Sequence, residues 1–86
     1  MFVAKSKDEY EEWKKEIEAF INSRKIIKDE ITIRINNYNT NPMYNGLEEY
    51  KNEMLVEEND FLDKINKQID RAKDFISKLT YPGKND

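Results

Sequence analysis

The chain contains no cysteine and no histidine, and its 86 residues include only two glycines, two prolines and one tryptophan. Each shortage removes a class of protein. Without cysteine there is no disulfide framework to substitute for a core, and without cysteine or histidine the usual zinc ligands are missing. Without histidine there is no imidazole to move protons near neutral pH. With so little glycine there is no glycine-rich loop to cradle a phosphate. No apolar run approaches the ~18 residues that a membrane span needs. The N-terminal Met1-Phe2-Val3-Ala4-Lys5 also lacks the apolar core of a signal peptide. The sequence therefore predicts a cytoplasmic protein, in the host's cytoplasm if a phage carries the gene, with no membrane association, no cofactor and no metal.

What the chain has in quantity is charge. Acidic residues number 18 against 15 basic ones, for a net charge of −3, and charged residues make up 38% of the whole. The mean hydropathy of −1.01 means that apolar side chains are scarce and must be arranged in stripes. A chain this short makes one small domain, near the size at which a single core only just suffices. Ten isoleucines and an aromatic content of 12% are more than a disordered chain carries.

Two similar charged segments flank the asparagine-rich stretch Tyr38-Asn39-Thr40-Asn41-Pro42-Met43-Tyr44-Asn45-Gly46. In the first, Ser6-Lys7-Asp8-Glu9 reads as a capping box, with Glu9 reaching back to the serine amide. Trp13, Ile17, Phe20, Ile27, Ile31 and Tyr38, widened by Ile21 and Ile35, fall on one stripe at about 100° per residue. After Pro42, Asn45 is placed to cap a second helix with Glu48 at the capping-box position. Leu47, Tyr50, Met54, Phe61, Leu62, Ile65, Ile69, Ala72, Phe75, Ile76 and Leu79 form the second stripe. The expectation is an all-α antiparallel hairpin in a single domain, 1–86. It has an N-terminal extension at 1–6, helix 1 at 7–37, a turn at 38–45, helix 2 at 46–80 and a tail at 81–86, of which Lys84-Asn85-Asp86 is expected to fray.

One segment admits another reading. Ile31-Thr32-Ile33-Arg34-Ile35 alternates with period two and is rich in strand formers. A strand at 30–36, pairing with Phe2-Val3-Ala4, would give a small α+β protein. Helix is preferred because Ile31, Ile35 and Tyr38 continue the upstream stripe in phase. Charge supports the hairpin. Residues 8–18 and 48–63 are acidic, net −4 and −6, while 24–34 and 64–78 are basic, net +2 and +3. Each helix thus matches its own dipole, and folding back sets each acidic half beside a basic one.

Two helices bury only one stripe each, so a homodimeric four-helix bundle or higher helical oligomer is expected. Ala19, Ile26 and Ile33, spaced by seven, lie away from the main stripe. With Val56 and the turn residue Tyr44 they form the candidate face for a partner. The other assignment for them is scattered surface apolar residues. Tyr10 and Tyr81 are further contact candidates, and Trp13, Phe20, Tyr38, Tyr50, Phe61 and Phe75 belong mostly to the core by spacing. Arg24 and Glu58 fall on the apolar stripes and are expected to meet as a structural ion pair. Alternatively Arg24, with Lys25, Lys28 and Arg34, makes an anion site at a subunit interface, with Tyr10 or Trp13 stacking on the ligand.

The acidic block Glu48–Asp63 is either a solvated helix face or an imitation of nucleic-acid phosphates. Duplex nucleic acid is disfavoured as a partner by the overall negative charge. Glu57, Glu58, Asp60 and Asp63 lack the histidine that helix-borne metal sites use. No nucleophile and base are paired by spacing, so the sequence predicts no enzyme. Lys, Ile and Asn abundance points to an AT-rich genome. The first functional expectation is a small non-enzymatic helical interaction protein, a phage or mobile-element accessory factor that binds and inhibits or modulates a host or defence protein. A second is an oligomer that sequesters an anionic ligand such as a nucleotide or cyclic oligonucleotide between subunits. A third is a structural subunit of a larger assembly.

Overall fold

Ser6 starts the first helix as its composition requires: its hydroxyl oxygen accepts from the Glu9 amide at 3.2 Å. The Glu9 carboxylate turns back to the Lys5 amide at 3.4 Å, one residue short of the serine amide expected of a capping box. From there a computed structural model, describing residues 2–84, runs through β1 (Phe2–Val3), α1 (Lys7–Thr40), a 3-10 turn (Pro42–Tyr44), α2 (Glu48–Lys78) and β2 (Leu79–Thr80). The molecule is an all-α hairpin, 82% helical, with overall dimensions of 63 × 17 × 17 Å.

The asparagines after Ile35 do not end α1, which continues to Thr40 rather than stopping at residue 37. Pro42 is the terminator. Its ring excludes the helical conformation at the preceding residue, and Asn41 is extended at φ −79°, ψ 121°. The Asn41 side chain then accepts from the Met43 amide at 2.9 Å and caps the 3-10 turn. Gly46 takes φ +86°, a left-handed geometry that costs glycine little, and redirects the chain into α2. Asn45 is not the cap of α2. Its amide donates to the Pro42 carbonyl at 3.0 Å, and α2 begins at Glu48 behind Leu47, which supplies no side-chain cap. Glu48 and Glu49 in the first turn offset this by complementing the helix dipole.

The strand reading of residues 30–36 is overturned: the segment lies inside α1. Ile31 is completely buried while Ile33 is 68% exposed. In a strand, two residues apart share a face; on a helix they point about 200° apart. Phe2 and Val3 do form a strand, with a different partner. They pair in parallel with Leu79 and Thr80, and the Ala4 amide donates to the Thr80 carbonyl at 2.8 Å. Residues 79–80, expected to finish helix 2, are extended instead.

The core accordingly has two parts. Ile21 and Ile31 of α1 meet Ile65 and Ile69 of α2, flanked by Ile17, Ile27, Ile35, Leu62, Ala72 and Ile76. Ala4, Tyr10 and Leu79 form a second cluster at the termini, covered by Trp13, Phe75 and Tyr81. Of the residues expected to fray, Lys84 is held in place, as is Tyr81 before it. Tyr81 lies 4.9 Å from Tyr10, ring to ring, and Lys84 Nζ donates to the Tyr10 hydroxyl at 3.0 Å. Asn85 and Asp86, the rest of the expected tail, lie outside the described residues.

Candidate functional site

The polar contact that crosses the seam joins Arg34, not Arg24, to Glu58. Arg34 Nε donates to Oε1 and Nη2 to Oε2, both at 3.0 Å, in the two-pronged geometry that suits a guanidinium and a carboxylate. This corrects the expected Arg24–Glu58 pair. Arg34 is ten residues nearer the turn than Arg24, roughly 15 Å along the helix axis. The expected register assumed that helix 1 ends at 37 and helix 2 starts at 46. The observed ends at Thr40 and Glu48 move that register by five residues, about half of the displacement. The hydrogen bonds to Glu58 raise the Arg34 pKa, with smaller support from Glu30.

Arg24 is instead left with an incomplete set of partners. Its guanidinium lies 4.9 Å from the centre of the Phe20 ring, and its Nε is buried with no hydrogen-bond partner among the described residues. No described carboxylate forms an ion pair with it.

The candidate anion residues are not gathered into one site. Tyr10 is buried against Tyr81 and under Lys84, and Trp13 packs on that cluster. Arg34 is engaged by Glu58. Tyr10 and Arg34 stand 24 residues apart on one straight helix, roughly 36 Å, beyond the reach of one nucleotide. Arg24, Lys25 and Lys28 remain neighbours on consecutive turns.

The candidate partner residues divide among three places. Ile26 and Ile33 are 61% and 68% exposed, and with exposed Ala19 they line the surface of α1 turned away from α2. Val56 is 61% exposed on the far surface of α2, nine residues and half a turn of phase from buried Ile65. There it sits with Glu49, Asn52, Glu53 and Glu57 along a shallow groove of about 460 Å³. Tyr44 is half-buried in the turn, 5.0 Å from Tyr38 and 6.3 Å from Tyr50, ring to ring. Burial in this cluster pushes the Tyr38 phenol up, and the neighbouring Tyr50, Tyr44 and Glu58 add to the shift.

Spacing assigned Phe20, Tyr50 and Phe61 to the core, and that assignment fails for all three. They are 39%, 48% and 43% exposed, and Phe2, which carried no such assignment, is 45% exposed. Phe20 and Phe75 line an apolar groove of about 300 Å³ with Glu16, Ile17 and Ala72, and Phe2 stacks on Phe75 at 4.3 Å. The signal was present in the width of the stripes: each spans more of its helix than one facing helix can cover.

No described group of acidic side chains is placed to hold a metal ion, and no described helix is long and apolar enough to cross a membrane. The chain matches no family model, no curated protein and no solved structure.

Proposed function

We propose that this chain is a small non-enzymatic interaction protein that docks on another protein in the cytoplasm and modulates it. The observation that carries this reading is the second apolar line of α1. Ala19, Ile26 and Ile33 recur every seven residues on the surface opposite the core, and Ile26 and Ile33 are each more than half exposed. Single exposed isoleucines are ordinary. A heptad line of them on a long straight helix has the form that receives an apolar helix from a partner. The high Lys, Ile and Asn content supports an AT-rich source such as a phage or mobile element, in which case the partner is a host or defence protein and the effect is inhibition.

The test is cross-linked capture from cells of the source organism, comparing the parent chain with Ile26→Glu and Ile33→Glu. Both positions are exposed, so circular dichroism of the variants should match the parent. A defined partner held by the parent and lost by both variants supports the reading. Equal capture by all three overturns it.

A further inference from the structure

We propose that a second copy of this chain, running antiparallel, covers the aromatic side of the hairpin seam. The exposed aromatics are not scattered. Phe20 and Phe75 line one groove, and Phe2 stacks on Phe75, so these three lie on the same side of the seam. Phe61 precedes Phe75 by 14 residues and Tyr50 precedes Phe61 by 11, close to whole numbers of helical turns, which puts both on that side of α2. The large exposed apolar rings of the molecule thus form one line along the hairpin, continuous with the core. The molecule's 63 by 17 Å face can supply the roughly 800 Å² per partner of a stable interface.

Charge along this line identifies the occupant. By helical phase Glu53, Glu57, Lys64 and Arg71 all lie on the outer flank of Phe61, roughly 40–80° from it, with the two acids on the turn side and the two bases on the termini side. A strip that is acidic at one end and basic at the other complements itself when reversed. A two-fold axis beside Phe61 sets Glu57 against Lys64 of the second copy and Glu53 near Arg71 of the second copy. It also lays the Tyr50 ring over the Phe20–Phe75 groove of the other chain. A parallel arrangement would set like charges together. This face is distinct from the Ala19–Ile26–Ile33 line, so the two proposals stand or fall separately.

Light scattering on the full chain should give twice the 10.4 kDa chain mass. A monomer at ~100 μM, well above the dissociation constants of interfaces this size, overturns the proposal. Phe61→Glu should yield a helical monomer, and a persistent dimer in that variant overturns the assigned face. Glu57→Lys and Lys64→Glu should each weaken the dimer by about tenfold, and the double exchange should restore it; no restoration overturns the antiparallel register. Because the chain has no cysteine, single cysteines report geometry cleanly. Phe61→Cys should form a disulfide dimer, whereas Tyr50→Cys should not, and the reverse result overturns the two-fold axis.

Discussion

Arg34 holds Glu58 through two hydrogen bonds of equal length, 3.0 Å each, and so pins α1 to α2 at one register. The Glu58 side chain is 18% exposed and that of Arg34 is 45% exposed. Solvent screening therefore limits the pair to about 0.5–1 kcal/mol. A double-mutant cycle measures this directly. Arg34→Met with Glu58→Gln should show a coupling of that size, and Arg24→Met with Glu58→Gln should be additive within about 0.3 kcal/mol. Coupling at Arg24 rather than Arg34 would contradict the register.

Ile31 and Ile33 test the helical course of the contested segment. Ile31 is wholly buried against α2, and truncating it to alanine should cost about 2–4 kcal/mol in urea unfolding. Ile33→Ala should change stability by less than about 0.5 kcal/mol in the same experiment. Equal losses at both positions would mean that they share a face, as in a strand.

Ala4 ties the two chain ends together. It is completely buried beside Tyr10 and Leu79, with its amide bonded to Thr80. Ala4→Leu should overfill this site at a cost of about 1–3 kcal/mol. The single tryptophan, Trp13, packs on the same cluster and should report the change as a red shift in emission. Unaltered emission and melting would show that the terminal strands contribute nothing to the fold.

The half-buried Tyr38 phenol makes stability depend on alkaline pH. Its folded pKa is raised, so the native state holds this proton more tightly than the unfolded chain does. The associated stabilisation is fully present below the unfolded value of about 10 and is lost as pH rises through the folded value. The parent should therefore lose more melting temperature above pH ~10 than Tyr38→Phe does. Parallel losses in the two proteins would refute the assignment.

Gly46 carries the bend at φ +86°, and an added Cβ would meet nothing within 4 Å. Gly46→Ala should accordingly cost about 1 kcal/mol from backbone strain alone. Gly46→Asn should recover part of it, because asparagine tolerates the left-handed region. A neutral Gly46→Ala would show that the turn has freedom to change conformation.

The linear pattern determined a good deal of this protein. The phase of the isoleucines selects two long helices, Ser6 and Pro42 mark where one begins and ends, and the charge halves select the antiparallel hairpin. These are local or periodic properties, set by hydrogen bonds within a few residues and by which face is apolar. Register was not legible, because a helix can slide by whole turns and keep its stripe inward. Only the tertiary packing chose Arg34 over Arg24 for Glu58. The parallel pairing of Phe2–Val3 with Leu79–Thr80 was hidden for a related reason. It joins segments at opposite ends of the chain, each too short to show a period. The exposed ring line of Phe20, Tyr50 and Phe61 arises from a geometric limit: a single facing helix is too narrow to cover a stripe that the sequence makes wide.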